Sequence, residues 1–425
     1  MKKLTLNQKS ARRDYLFYLF LSITIPVTFL FSPFPPPGTE FCGNYITLID
    51  NIAGFPINCD SVTFTDVLVS PNFELIFTPD YVRQNRPFFI LLGGVLSYIP
   101  TEFLRIFRLL YIFPETNSYL QHSIGFILLN ILTLFLSLVL FHKILMYFHV
   151  QKSLIYTSSL FLVGNEIVKV FFWSALPQMF NILTPIATIS IVYWGLQTKI
   201  TNKILLILTF FLGFFPLAYG TCLLFFPSIV TVYFCNNKIA QNSYKKILFL
   251  FFLAVLFLLP TILWISIIKL IVGSFYSHES DTYRQFLWTV DALKINWSHF
   301  LNTAGGYWQS YLNFPQELNV LLWLNIILPI WSIFRYNRQE ILSLLGTLKF
   351  IYAIFVLFFI FLYFIAFYPE RLYFNLIAIA LIPTLIFFNL IATREKHCYS
   401  IVPVLIFLMS TSHFLGILFQ VGPYD

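Results

Sequence analysis

Two apolar stretches, ILLNILTLFLSLVLF (127–141) and ILFLFFLAVLFLLPTILWISIIKLIV (247–272), decide the fold class. A helix needs about 20 apolar residues to cross the roughly 30 Å hydrocarbon core of a bilayer, and the second run is long enough by itself. Of the 425 residues 58% are hydrophobic and only 10% are charged, whereas soluble domains carry about 25% charge. A membrane β-barrel would instead show short alternating segments. The sequence therefore predicts an all-α integral membrane protein.

The same reading along the chain predicts about eleven membrane-spanning helices within one polytopic domain, residues 1–425. Segment 204–234 leaves two alternatives open, because it is too long for one span and short for two. The segment is expected to form a hairpin that turns near Pro216 to Gly220, either with two full spans or with helices that do not cross completely. The predicted spans are 15–32, 121–142, 153–172, 177–196, 204–216, 217–234, 247–273, 317–334, 349–367, 371–391 and 399–419.

Basic residues fix the expected orientation of these spans. The loops assigned to one side hold 17 of the 26 Lys and Arg, and the only acids there are Asp14, Glu340 and Glu395. Cytoplasmic loops carry such an excess of positive charge, so the amino terminus is expected in the cytoplasm. The run 15–32 is long and no cleavage site follows it, which favours an uncleaved first helix. The charge of +8 is thus explained by topology, and we expect no nucleic-acid partner.

Two long segments fall on the opposite, extracytoplasmic side. The first, 35–120, includes an apolar stretch at 87–110 that we expect to be a juxtamembrane helix, since one more span would invert every later loop. The second, 274–316, is rich in Trp and Tyr. Those rings are expected either to stack on a sugar or to lie at the membrane interface, where aromatic residues are common.

The stretch CDSVTFTDVLVSPNFELIFTPDYVRQNRPFF (59–89) concentrates charge within the first of these loops. Ionisable groups in a multi-span protein mark a functional site by default. Cys42 and Cys59 both lie in this first loop. They are either two free thiols or a disulfide, which would stabilise the loop by about 3 kcal/mol in an oxidising compartment.

Three segments resemble the GT-C superfamily of integral membrane glycosyltransferases, which includes protein mannosyltransferases and aminoarabinose transferases. They are CDSVTFTDVL (59–68), VRQNRPFFILLG (82–93) and, more weakly, VKVFFWSALPQMFNILTP (168–185). The order of helices and loops resembles that superfamily over nearly the whole chain. The resemblance implies an Asp of the first external loop as the base and a polyprenyl-phosphate-linked sugar as the donor. It also implies Mg²⁺ or Mn²⁺ as a candidate cofactor, since some members use a divalent ion.

The residues themselves support the same chemistry. Transfer of a sugar from a lipid phosphate needs a carboxylate to remove the acceptor's proton and cations to stabilise the leaving phosphate. The candidate bases are Asp60, Asp80 and, third, Asp66, and the alternative for each is a solvated acid or a helix cap. The candidate phosphate ligands are Arg86, Arg83 and Arg371. The candidate cavity-lining residues are Glu166, Lys169 and Glu370; Glu166 and Lys169 alternatively form a salt bridge at i, i+3, and Glu370 an ion pair with Arg371.

Two other functions remain as alternatives. A transporter or flippase of a lipid-linked saccharide would place ionisable groups within several spans or interrupt paired helices. A membrane assembly protein would leave the loop acids merely solvated. The concentration of charge in one loop favours the transferase. Short loops and the lack of a cytoplasmic domain lead us to expect a bacterial inner membrane; the partners expected are a polyprenyl-phosphate-sugar and membrane lipid.

Overall fold

A computed structural model of the chain describes residues 2–33, 45–49, 52–56, 59–69, 71–106, 118–198, 200–236, 243–366, 369–395 and 397–420. These residues form one two-stranded hairpin, β1 (Tyr45–Ile49) and β2 (Ala53–Pro56), and are otherwise largely helical. The predicted all-α class is confirmed. The α-helices in chain order are α1 Lys2–Thr28, α2 Cys59–Val69, α3 Pro87–Ile106, α4 Ser118–Tyr147, α5 Lys152–Val163, α6 Glu166–Phe171, α7 Phe180–Gln197, α8 Asn202–Leu212, α9 Phe225–Asn236, α10 Ser243–Val272, α11 His278–Asp281, α12 Leu287–Ile295, α13 Trp297–Leu312, α14 Gln316–Arg335, α15 Arg338–Ile365, α16 Pro369–Leu372, α17 Phe374–Arg394 and α18 Cys398–Phe419.

Within the described residues, 8 helical segments are long and apolar enough to cross a membrane. They correspond to eight of the predicted spans, so the chain is a multi-pass membrane protein. These segments are Arg12–Phe31, Ser123–Tyr147, Pro177–Gln197, Tyr244–Val272, Gln316–Arg335, Arg338–Ile365, Phe374–Arg394 and Cys398–Phe419.

The predicted span 153–172 is interrupted. α5 ends at Val163 after 12 residues, about 18 Å, which is too short for the hydrocarbon core. α6 starts only after Gly164 and Asn165, and the Asn165 side chain accepts a hydrogen bond from Val168 N at 3.1 Å. Asn is a preferred N-cap residue, so it begins a new helix inside the apolar run.

The predicted spans 204–216 and 217–234 also form short helices. α8 has 11 residues and α9 has 12. Two 3-10 turns, Phe215–Leu217 and Gly220–Leu224, occupy the stretch between them, where the hairpin turn was expected. Pro216 has no amide hydrogen to donate, which fits its place in a 3-10 turn after α8 has ended at Leu212. Among the described residues, the number of long apolar helices is therefore smaller than the predicted total of about eleven spans.

The two segments expected outside the cytoplasm contain regular structure. In the first, the hairpin pairs Ile46 with Phe55, and α3 begins at Pro87 as the sequence predicted. Pro suits this first helical position because its missing N–H would have no helical partner there. The second segment, 274–316, forms α11, α12 and α13.

The chain divides into two compact units. Unit 1 comprises Met1–Asn72, Ile90–Leu183 and Ala392–Asp425, and unit 2 comprises Phe73–Phe89 and Thr184–Ile391. In unit 1, α4 packs against α1, α2 and α5, and α18 packs along α5. In unit 2, α10 packs against α8 and α9, α14 against α15, and α13 against α12 and α15.

Candidate functional site

The arginine-bearing loop of the charged stretch, residues 78–86, lies in unit 2 between the 3-10 helix Pro71–Phe77 and α3. Two tight turns shape it, with Gln84 N donating to Tyr81 O and Arg86 N donating to Arg83 O, each at 3.1 Å. These turns bring the loop directly to the start of α3. The loop carries three of the predicted residues, Asp80, Arg83 and Arg86.

Gln84 fixes this loop in place, and its side chain is completely buried. Its amide donates to Thr78 O at 2.6 Å, and its side-chain oxygen accepts from Tyr276 N at 3.1 Å. The Trp264 indole donates to Gln84 O at 2.6 Å. The loop is thus tied both to α10 and to the segment that follows α10.

Arg86 is held on several sides within unit 2. Its Nη2 and Nε lie 2.5 and 3.2 Å from Glu279 Oε1, and its Nη1 donates to Ala218 O at 3.2 Å. Its guanidinium also lies over the Tyr219 ring, 5.3 Å from the centroid, at a distance typical of a cation–π contact. Asn85 Nδ2 donates to the other oxygen of Glu279. Both members of the ion pair are largely buried, with side chains 14% and 19% exposed.

The electrostatics of this pair keep Glu279 ionised. Burial by itself raises the pKa of Glu279, but the Arg86 guanidinium and a smaller effect of Arg83 outweigh it and hold the pKa below the ordinary 4.5. Arg83 is only 6% exposed. The guanidinium groups of Arg86 and Arg83 therefore both act on this one carboxylate.

Some donors and acceptors around Arg86 have no partner among the described residues. Three of the five guanidinium N–H groups are used by Glu279 and Ala218, so two remain. The buried Asn85 Oδ1 also accepts no hydrogen bond. Unsatisfied buried polar atoms are uncommon and often mark a functional position. The Arg86 guanidinium can thus donate to a phosphate oxygen, and Asn85 Oδ1 can accept a hydrogen bond from a hydroxyl or amine.

Strained backbone marks the same loops. Asp80 and Phe286 have positive φ angles of 55° and 59°. This conformation is uncommon for residues other than glycine, and for a bulky residue such as Phe it is an outlier that clusters at functional positions. The Phe286 amide is held there by a 3.0 Å hydrogen bond to Phe364 O.

His278 lies next to Glu279 in a ring of hydroxyl groups. Its Nδ1 is 2.9 Å from the Tyr276 hydroxyl and 3.1 Å from Thr282 Oγ1, and its Nε2 is 3.1 Å from the Tyr283 hydroxyl. These contacts fix the ring orientation. They also place hydroxyl and imidazole groups, which can exchange hydrogen bonds with a polyol, beside Glu279.

Sequence reasoning missed Glu279, the residue that pairs with Arg86. The two lie 193 positions apart in the chain. The available signal was only that Glu279 is one acid of the Trp- and Tyr-rich segment 274–316. Arg371, the third predicted phosphate ligand, is in unit 2 on α16 and is half-buried.

Apart from Glu370, which is in unit 2, the remaining predicted residues belong to unit 1. Asp60 lies in the first turn of α2, a favourable position for an acid, and is half-buried. Asp66 is exposed on the same helix, and partial desolvation raises its pKa above the ordinary 3.8. Cys59 begins α2, but its side chain and the whole of Cys42 lie outside the described residues, as does the side chain of Glu370. The predicted disulfide stays a prediction.

Lys169 has a more specific environment than either sequence interpretation supplied. Its side chain is buried, and its ammonium donates to Ile417 O at 2.8 Å and Gln420 O at 2.7 Å. A cation on the last carbonyls of a helix stabilises that end, here of α18. Glu166 is the first residue of α6 and is exposed.

The turn after α6 is held by a side chain of α4. Asn130 Nδ2 lies 3.3, 2.8 and 3.1 Å from the carbonyl oxygens of Phe171, Phe172 and Ser174.

The described residues include no group of three or more His, Cys, Asp or Glu side chains that could hold a metal ion. Comparison of the chain with protein-family models, with curated proteins and with solved structures found no match. The functional assignment thus depends on the geometry around Arg86.

Proposed function

We propose that this protein is a GT-C-type membrane glycosyltransferase, which moves a sugar from a polyprenyl-phosphate-linked donor to a lipid, glycan or protein acceptor. The observation that carries the proposal is the largely buried Arg86, oriented by Glu279 and Ala218 O beside the buried Arg83. A guanidinium with two unused N–H groups is suited to a phosphate oxygen, because its fork of donors matches the anion.

In the proposed reaction, the acceptor oxygen or nitrogen attacks the anomeric carbon of the sugar. The bond between that carbon and the phosphate oxygen breaks, and the phosphate leaves with the electron pair. Arg86 and Arg83 stabilise the developing charge on the phosphate, with Arg371 as a third candidate. The acceptor's proton goes to a carboxylate, for which Asp80 and Asp60 remain the candidates and Asp66 the third.

Asp80 has support that Asp60 lacks. It shares a fixed loop with both arginines and is exposed, with a strained backbone at φ 55°. Asp60 has the support of the family resemblance at 59–68. Substitution of each Asp by Asn distinguishes them, because only the base is needed for proton removal.

The proposal includes a membrane topology. The protein has about eleven helices in the membrane, some of them short, and its amino terminus is in the cytoplasm. The segments 35–120 and 274–316 face the opposite side of a bacterial inner membrane, where the donor sugar is transferred.

The first test is binding of a polyprenyl phosphate to the full chain in lipid nanodiscs, with the matching polyprenol as a phosphate-free control. We expect Arg86→Gln to weaken binding of the phosphate at least about tenfold, which is about 1.4 kcal/mol. Arg284→Gln is the matched control, because Arg284 also pairs with an acid, Asp291, but is 47% exposed. Arg86→Gln with Glu279→Gln removes both charges and guards against loss through misfolding. Unchanged affinity in the folded Arg86 variants would overturn the proposed phosphate site.

A second candidate function has its own observation. α5 and α6 are interrupted at Gly164–Asn165 in unit 1, and α8 and α9 are separated by 3-10 turns in unit 2. Interrupted helices in each of two halves are typical of transporters. A flippase would move the lipid-linked sugar across vesicle membranes without changing it chemically, so an unmodified donor recovered on the far side would favour this function.

A further inference from the structure

The helix α13 has three different surfaces around its axis. Four large apolar residues, Trp297, Leu301, Trp308 and Leu312, are 64, 52, 44 and 45% exposed. On a helix that advances about 100° per residue they fall within a stripe about 60° wide. A second surface is buried against the protein, and the third carries exposed polar residues. Those polar residues include Ser298, His299, Asn302, Gln309 and Ser310.

The buried surface of α13 packs against the end of a membrane span. The Tyr363 hydroxyl donates to Ala304 O at 2.8 Å. The Phe359 ring lies 5.7 Å from Trp308 and 5.5 Å from Tyr311. Phe359 and Tyr363 belong to the last two turns of α15, which ends at Ile365. α13 therefore lies at the depth where that span leaves the membrane.

Short connections hold α12 and α13 at this depth. α13 ends at Leu312 and the span α14 begins at Gln316, so the linker reaches at most about 14 Å. At the other end, the Trp288 indole of α12 donates to Phe364 O at 2.9 Å. With 9 and 16 residues, α12 and α13 are too short to cross a bilayer themselves.

We propose that α12 and α13 form an interfacial hairpin that binds phospholipid, with the Trp297–Leu312 stripe at the boundary between headgroups and acyl chains. Amphipathic helices lie in this way, and Trp is enriched at that level. The polar surface of α13 then faces water. Residues 297–312 contain no Asp, Glu, Lys or Arg, so this binding does not require anionic lipid.

This lipid surface is independent of the proposed transferase activity, and its test needs no substrate. Nitroxide labels are placed at positions 301 and 312 on the stripe and at 302 and 309 on the polar surface, in a full chain with its cysteines replaced by Ser. In phosphatidylcholine vesicles, the accessibility of each label to lipid-soluble O₂ and to a water-soluble nickel chelate is compared. We expect O₂ to dominate at 301 and 312 and the nickel chelate to dominate at 302 and 309.

Two results would overturn the proposal. Stripe labels that are reached mainly by the nickel chelate would lie in water, and stripe labels shielded from both reagents would be covered by a protein or a second copy of the chain. A further measurement keeps the test valid if the cysteine-free chain misfolds. In the chain with native cysteines, brominated phosphatidylcholine should quench less of the emission in Trp297→Phe than in wild type, and added anionic lipid should not change this difference. No decrease on removing Trp297 would contradict lipid contact.

Discussion

Arg86 Nη2 lies 2.5 Å from Glu279 Oε1 and joins two residues that are 193 positions apart in the chain. This pair ties the charged loop before α3 to α11, on the segment that follows α10. Because both side chains are largely buried, loss of either charge destabilises the protein more than loss of one member of a surface ion pair. The pair is the electrostatic centre of the proposed phosphate site.

Glu279→Gln should destabilise the protein strongly. Removing one member of a buried ion pair leaves the other charge uncompensated, and the expected cost is about 3–5 kcal/mol. Denaturant unfolding in detergent micelles measures the change. Asp291→Asn is the control, because its partner Arg284 is 47% exposed, and exposed pairs contribute only about 0–1 kcal/mol. Equal losses in the two variants would contradict the assigned burial.

The stabilisation from Glu279 should depend on pH with a definite sign. Its pKa in the folded protein is held below the ordinary 4.5, because Arg86 outweighs the effect of burial. A lowered pKa contributes stability that is fully present above 4.5 and is lost as pH falls through the lower folded value. The difference in melting temperature between wild type and Glu279→Gln should therefore be constant near neutral pH and shrink in acid. A difference that grows on acidification would be inconsistent with a lowered pKa.

Asn130→Ala should cost more than Thr133→Ala on the same helix. The Asn130 amide serves three carbonyl groups of the turn after α6, and leaving buried acceptors unsatisfied costs about 1–3 kcal/mol. The Thr133 hydroxyl donates to Leu129 O in its own helix. Without that hydroxyl, Leu129 O still accepts the backbone hydrogen bond of the helix. Thermal unfolding of the two purified variants makes the comparison. If Thr133→Ala is the more damaging, Asn130 does not hold that turn.

Gln84→Leu should weaken both the fold and the binding of a polyprenyl phosphate. Leu has a similar size but makes neither the bond to Thr78 O nor the bond from Tyr276 N, so the loop that carries Arg86 loses its anchors. We expect a loss of about 1–3 kcal/mol in stability. The exposed Gln339→Leu is the control, and comparable behaviour of the two variants would argue against a positioning role for Gln84.

The sequence predicted what depends on local composition. Long apolar runs identified eight helices, and Pro87 correctly marked the start of α3. The interruption at Gly164–Asn165 was not predicted, because the flanking residues are apolar enough to read as one continuous span. It depends on contacts from elsewhere: a Cβ atom at Gly164 would lie 2.9 Å from Phe414 Cβ.

The sequence named candidate charged residues, but it did not identify all of their partners in the fold. Arg83 and Arg86 were identified as functional candidates, and the structure adds Glu279, which no local spacing could connect to them. Lys169 was expected to pair with Glu166 or to line a cavity, and the structure adds that its ammonium donates to two carbonyl groups at the end of α18. Helical spacing identifies neighbours along one helix, but it carries no information about the ends of distant helices.

The most direct test of glycosyl transfer is the mass of the acceptor in the native host. Surface lipids, glycans and proteins are compared by mass spectrometry in cells that carry wild type, Arg86→Gln, Asp80→Asn, Asp60→Asn or Arg284→Gln at equal expression. We predict that one sugar-modified species is lost, and its unmodified form accumulates, with Arg86→Gln and with one of the two Asp variants, while Arg284→Gln resembles wild type. A profile that is unchanged in Arg86→Gln and in both Asp variants would contradict the proposed function.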